Sequence, residues 1–239
     1  MTQAEKRERI LKIEEKLRER YPDAVCALHW DGDPWRLMVM GRLSAQCTDA
    51  RVNLVCEELF RRFPTAEAMA AGDIREIEDC VRSCGLYRVK AQNIRDASEM
   101  LVKDFGGRMP DTMEDLLKFP GVGRKVANLI LGDLWGTGGT VADTHCIRIC
   151  GRFGMYPETL KDPVRVEKIM NGLLPQEMRS DFCHRIVLFG REVCTARAPE
   201  CAGCPVRDFC AGCRTRSACG ENRKEAEKAE KPEKPLDGQ

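Results

Sequence analysis

An all-helical fold is predicted by three features of the sequence. Apolar residues recur at three- and four-residue intervals along most of the chain, capping residues stand where those runs begin, and no segment keeps a two-residue alternation over the length of a strand. Hydrophobic residues fill 43% of the 239 positions, enough for one large core or two smaller ones. No apolar run approaches the ~20 residues of a membrane span, so a soluble protein without a membrane partner is expected.

Taken in order, Ala4 to Arg20 mixes charges with Ile10, Leu11, Ile13 and Leu17, one stripe of a short amphipathic helix that Tyr21-Pro-Asp23 ends. After the turn Asp31-Gly-Asp-Pro34 a second helix runs from Trp35 through Leu43 toward Gln46, apolar nearly all round and therefore buried. Asp49 is placed to cap a third, carrying Val52, Val55, Cys56, Leu59, Phe60 and Phe63. Asp73 opens a fourth with Ile74, Ile77 and Val81, and Ala91, Ile94, Ala97, Leu101 and Phe105 mark a fifth that stops at Gly106-Gly107. Asp111 with Glu114 reads as a capping box for a short helix ending at Pro120.

The stretch Phe119-Pro-Gly-Val-Gly-Arg-Lys-Val-Ala-Asn128 follows. Gly121 and Gly123 flank Val122 in a tight turn, and Val126, Ala127, Ile130, Leu131 and Leu134 give the next helix one apolar face. A hairpin of this kind exposes backbone N–H groups at the start of its second helix, where they and the helix dipole suit a phosphate oxygen. Such contacts hold nucleic acid without reading its sequence. Further helices are expected from Asp143 to Phe153, from Pro163 to Leu173 and from Met178 to Phe189. Periodicity is abandoned from Cys194 to Cys210, and the Lys, Glu and Pro of the tail from Gly220 predict disorder.

Net charge is +1, with −1 in the tail and +2 elsewhere, so a nucleic-acid contact would need a local basic face. The N-terminus mixes Lys6, Arg7 and Arg9 with Glu5, Glu8, Glu14 and Glu15, unlike a signal or transit peptide, so no export is expected. Of the 14 cysteines, Cys26, Cys47, Cys56, Cys80, Cys84, Cys146, Cys150 and Cys183 stand singly among apolar positions and read as small reduced core residues.

Two groups of residues carry chemistry. Lys125, just past the hairpin, and Asp143, a helix and a loop later, can be brought together by a fold-back of the chain. By themselves, a lysine at a helix start is ordinarily a solvated charge or phosphate contact, and an aspartate before Thr144 an N-cap. His145 beside it reads as a structural histidine. Cys194-x6-Cys201-x2-Cys204-x5-Cys210 sets four thiols within 17 residues of aperiodic chain, a pattern that needs a metal and whose spacing leaves zinc or an iron–sulfur cluster open. Cys213 and Cys219 extend it, so a ligand set of Cys201, Cys204, Cys210 and Cys213 also fits.

Phe119 to Asn128, Asp143-Thr-His145, Leu43-Ser-Ala-Gln-Cys-Thr-Asp49, Cys84-Gly-Leu-Tyr87 and the final cysteines together resemble the endonuclease III family of helix-hairpin-helix DNA glycosylases, in register from about Arg7 to Cys210. The resemblance implies two helical domains flanking a cleft. One is a six-helix module with the hairpin over residues 26–137; the other, from residues 1–25 and 138–215, holds a [4Fe-4S] cluster on Cys194, Cys201, Cys204 and Cys210, and 216–239 form the tail. It implies Lys125 as a Schiff-base nucleophile, whose amine loses its proton more readily when partly buried near other cations, and Asp143 as its carboxylate partner. Gln46 and Leu86 match the pair inserted into the gap left by an extruded nucleotide, with Gly121, Val122, Gly123 and Arg124 on the strand. The loop Thr195-Ala-Arg-Ala-Pro-Glu200 offers phosphates only Arg197.

The implied function is a bifunctional DNA glycosylase and abasic-site lyase that removes oxidised pyrimidines from duplex DNA, acting as a monomer in the cytoplasm, on the nucleoid if the cell is prokaryotic. Alternatives are a glycosylase for mismatched bases, since no pocket residue identifies the base, and a non-catalytic hairpin protein that only clamps DNA.

Overall fold

A computed structural model describes residues 1–213; the predicted tail and Cys219 lie outside the described residues. Helices α1 (Gln3–Arg20), α2 (Pro34–Leu43), α3 (Asp49–Arg62), α4 (Ala66–Ala71), α5 (Ile74–Val81), α6 (Tyr87–Phe105), α7 (Met113–Leu116), α8 (Arg124–Trp135), α9 (Thr144–Arg152), α10 (Pro163–Leu173) and α11 (Arg179–Glu192) follow one another with short 3-10 turns between, and no strand occurs among the described residues. None of these helices is long and apolar enough to cross a membrane.

Caps set where most of them begin. Thr2 and Glu5 close a capping box on α1, Asp33 accepts the amide of Trp35 at 2.9 Å with Pro34 in the first turn of α2, and Asp143 and Asp162 cap α9 and α10. Two expected caps lie one residue away. Thr48, not Asp49, caps α3 by accepting the amide of Arg51, and Thr112, not Asp111, caps α7 by accepting that of Asp115. Neighbouring residues can both cap, and the backbone selects the one in extended conformation. Helix α2 stops at Leu43 rather than running on toward Gln46, which takes a left-handed backbone. The short α4, capped by Thr65, was not expected: AEAMAA buries only Ala66 and Met69 and shows no stripe.

Two groups of buried residues form. One joins α2 to α8 through residues such as Leu37, Leu43, Leu59, Ile77, Ile94, Leu101, Phe119 and Ile130. The other brings Ile10, Ile13 and Leu17 of α1 against Ile149, Phe153, Met170, Phe182 and Phe189, together with Cys194, Val206 and Cys210. Each such side chain contributes about 1.5–3 kcal/mol by leaving water. The stripe of α1 thus has its partner some 150 residues downstream, and Glu14, ion-paired with Arg185 across that distance, fastens it. Helix α8 links the groups, packing on α2 on one side and α11 on the other.

No disulfide forms among the described cysteines. Cys56, Cys84, Cys146, Cys150 and Cys183 are buried, whereas Cys26, Cys47 and Cys80 are only half-buried. Burial pushes the thiol of Cys84 up to about 11 and that of Cys26 to about 12, which keeps them protonated and unreactive at neutral pH.

Candidate active site

The hairpin is built as its glycines require. Gly121 has φ of +79°, and a Cβ there would stand 2.3 Å from Nε of Arg42, which itself donates to Asn93 at 2.9 Å. The amide of Val122 bonds back to the carbonyl of Phe119 at 3.0 Å, and both side chains are buried. Gly123, extended, is the N-cap of α8 and brings no side chain to it. The first intrahelical bond comes from Ala127, so the amides of Arg124, Lys125 and Val126 have no carbonyl of the helix to meet and carry its positive dipole end. The side chain of Arg124 turns away to Glu167 of α10, its Nε and Nη2 donating at 2.9 and 2.6 Å. What Arg124 offers a phosphate is therefore its backbone.

Beside this helix start lies a cavity of about 560 Å³, within the size range of small-molecule sites. Lys125, Asp143 and Gln46 all line it, with Asp49, His145, His184 and Arg191 as further polar groups and Leu28, Leu129, Val141 and Leu188 among its apolar walls. Lys125 is exposed rather than partly buried, because α8 turns Ala127, Ile130 and Leu131 inward and its first turn stays outside. Asp143 is half-buried; one oxygen caps α9 by accepting the amide of Cys146 at 2.7 Å, and its other oxygen is not part of that cap.

Polar residues in this wall and just behind it were not read from the sequence as a set. Asp49 pairs with Nη2 of Arg191 at 2.5 Å, joining α3 to α11. Oδ1 of Asp133 accepts from Ser180 at 2.6 Å and lies 2.8 Å from Nε2 of His184. Burial works to raise the Asp133 carboxyl, yet hydrogen bonds from His184, Ser180 and Cys26 outweigh it and hold the group below its usual range. His145 is lowered too, but here burial is the cause: burial first, then Arg148 and Arg191, press its imidazole down against the pull of Asp143, so it is neutral at neutral pH.

Gln46 and Leu86 are exposed and share an uncommon backbone. Their φ angles are +55° and +48°; the other non-glycine residue of this kind among those described is Asp31. A left-handed conformation costs a side chain with a Cβ about 1–2 kcal/mol. Strain of this sort concentrates where a side chain must be presented outward. Leu86 is 66% exposed at the start of α6, as a leucine at a break between helices should be if it does not belong to the core.

The cysteine loop lies apart from the cavity, in the second core. Cys194 and Cys210 are buried, Cys201 and Cys204 half-buried, and all four pack with Val206 and Phe209. Arg152, only 7% exposed, donates to Sγ of Cys194 at 3.2 Å and to the carbonyls of Thr195 and Ala196 at 2.6 and 2.9 Å. The amide of Cys213 meets Sγ of Cys210 at 3.4 Å. Thiols in an apolar shell with N–H groups and a guanidinium aimed at sulfur are the donors a thiolate-bound cluster needs. Among the described residues no three ligating side chains gather round one single-ion position. A four-iron cluster, which takes one thiolate at each iron, does not require such a trio.

Comparison with known proteins agrees with this layout. The family of HhH-GPD superfamily base excision DNA repair proteins matches residues 39–176, and the iron–sulfur binding domain of endonuclease III matches residues 194–210. Endonuclease III of Synechocystis sp. is 43% identical over 202 residues, covering 84% of this chain and 91% of the relative. That of Bacillus subtilis is 40% identical over 193 residues, covering 80% and 87%. A solved structure of a trapped endonuclease III–DNA covalent intermediate superposes with a TM-score of 0.82 at 35% identity, covering 91% of this chain and 99% of that one. With two family matches on the hairpin and the cysteine loop and relatives of this identity along most of its length, the chain belongs to the endonuclease III family within the HhH-GPD superfamily of base excision DNA repair proteins.

Proposed function

We propose that this base excision repair glycosylase and abasic-site lyase works through Lys125 and Asp143 on oxidised pyrimidines in duplex DNA. The observation that carries the reading is that both side chains line one cavity beside an uncapped helix N-terminus. The hairpin amides hold a phosphate, and the lesion nucleotide rotates out of the stack into the cavity. Gln46 meets the orphaned base and Leu86 wedges the stack from the apolar side.

Asp143, whose second oxygen stands outside its cap, accepts a proton from the amine of Lys125 and faces the positive charge growing on the sugar. The lysine nitrogen bonds to C1′ as the glycosidic bond breaks, and the base leaves with the bonding pair and takes up a proton. The C1′–O4′ bond then breaks, O4′ takes up the proton that the nitrogen sheds, and a protonated imine remains. A base removes a proton from C2′, its electrons form the C2′–C3′ double bond, and the 3′ phosphate leaves. The strand is cut and the amine is released by water.

The residues 26–137 form the hairpin module and 1–25 with 138–215 the cluster module in this reading, which has the protein acting as a monomer on the DNA of the cytoplasm. Cys194, Cys201, Cys204 and Cys210 hold the [4Fe-4S] cluster. When bound, the cluster supplies four metal–thiolate bonds that fix a loop with no periodic packing of its own. Borohydride reduction in the presence of duplex DNA with one abasic site tests the chemistry: a covalent adduct mapping to Lys125 is expected, and its absence removes the lyase reading.

A further inference from the structure

Lys90, in the first turn of α6, is fully buried at 1% exposure, and its position among Arg88, Val89 and Gln92 gave no sign of it. Its Nζ donates to three backbone carbonyls: Leu43 at 2.9 Å, Ala45 at 2.7 Å and Cys84 at 2.5 Å. An ammonium has three donors, and all three are used. Leu43 is the last residue of α2, Ala45 precedes Gln46, and Cys84 ends the 3-10 turn two residues before Leu86. One buried cation therefore ties together the two separate segments that carry the left-handed residues Gln46 and Leu86.

We propose that Lys90 is a positioning residue for strand insertion. It holds the carbonyls of the two segments at fixed separation, so that Gln46 and Leu86 enter the duplex together. The inference rests on the roles given to those two residues above. A role in packing alone would be served by an apolar side chain, which avoids the desolvation of a charge. What an apolar side chain lacks is a single point that three carbonyls from two segments must all face. The carbonyl ends of α2 and of the 3-10 turn supply the negative potential, with no carboxylate required.

The test compares Lys90→Met and Lys90→Gln with the unmodified holoenzyme, first by amide hydrogen exchange. Residues 44–48 and 82–87 are expected to lose protection together, while the second core keeps its own. Unchanged exchange in either segment overturns the proposal. Single-turnover cleavage of a duplex with one abasic site should fall about tenfold to a hundredfold. In a protein already carrying Gln46→Ala and Leu86→Ala the same change at Lys90 should cost less than about twofold, because coupled residues do not add. Full additivity would assign Lys90 to general stability and overturn the proposal, as would unchanged cleavage. If neither variant folds, exchange in the unmodified protein decides: the two segments should open in one step, and independent opening contradicts the clamp. Failure of the unmodified protein to cut the duplex would sink the lyase reading but leave the exchange result standing.

Discussion

Nε2 of His184 lies 2.8 Å from Oδ1 of Asp133, and the hydroxyl of Ser180 donates to the same oxygen at 2.6 Å, so a single carboxylate on α8 fastens two residues of α11. This knot spans the two buried groups beside the cavity. Asp133→Asn removes the charge from a site where the Asp133 and His184 side chains are 7% and 12% exposed, and should lower unfolding free energy by about 1–3 kcal/mol. Asp133 is depressed below its ordinary value of 3.8, so its contribution is present above that pH and lost as pH falls through the folded value. The difference between wild type and variant in denaturant unfolding should therefore shrink below pH 3.8, and a difference that grows on acidification would contradict the assignment.

Asp143 caps α9, and the catalytic role proposed for it can be separated from that cap by substitution. Asn caps a helix as well as Asp, so Asp143→Asn should unfold at nearly the wild-type temperature yet cleave about a hundredfold or more slowly. Asp143→Ala should show the same kinetic loss and an additional loss of about 1 kcal/mol in stability. Normal turnover by the Asn variant would leave the carboxylate with capping alone.

At Gly121 a methyl group meets both a positive φ and Nε of Arg42. Gly121→Ala should cost more than about 1 kcal/mol in stability and, if the hairpin holds backbone and not bases as proposed, weaken binding to undamaged and abasic duplexes alike. Weakened binding to only one of the two duplexes would place the hairpin elsewhere in the complex.

Leu86→Gly should relieve a left-handed backbone and raise stability by up to about 1 kcal/mol while slowing cleavage of duplex DNA. Calorimetry and single-turnover rates on the same preparation read both effects. A variant that is less stable and equally active would return Leu86 to an ordinary packing role.

Cys204→Ser should abolish the visible absorption of the cluster and destabilise the second core, in which Cys204 packs with Phe209 and Val206. An unchanged spectrum would exclude Cys204 as a ligand, and with it both the set of Cys194, Cys201, Cys204 and Cys210 and the set shifted to end at Cys213.

Helix positions were legible wherever a cap preceded a stripe, and the hairpin and cysteine loop because their residue types are needed in that order. Thr48 and Thr112 were displaced to their neighbours since two adjacent residues can each cap and only the backbone decides. Asp133 and His184, 51 residues apart, and Arg124 and Glu167, 43 apart, carry no local signal of meeting. Lys90 was hidden for another reason: a lysine in a charged stretch reads as solvated, and only the convergence of three carbonyls makes its burial tolerable.

The central claim is that the amine of Lys125 attacks the sugar within the cavity it shares with Asp143. The direct measurement is borohydride trapping on a duplex with one abasic site, run with wild type and Lys125→Ala and followed by peptide mapping. One adduct is expected, on Lys125, with a variant that still binds the duplex but neither traps nor cuts it, a loss of at least about a thousandfold. Trapping at another amine, or wild-type cleavage by the alanine variant, would contradict it.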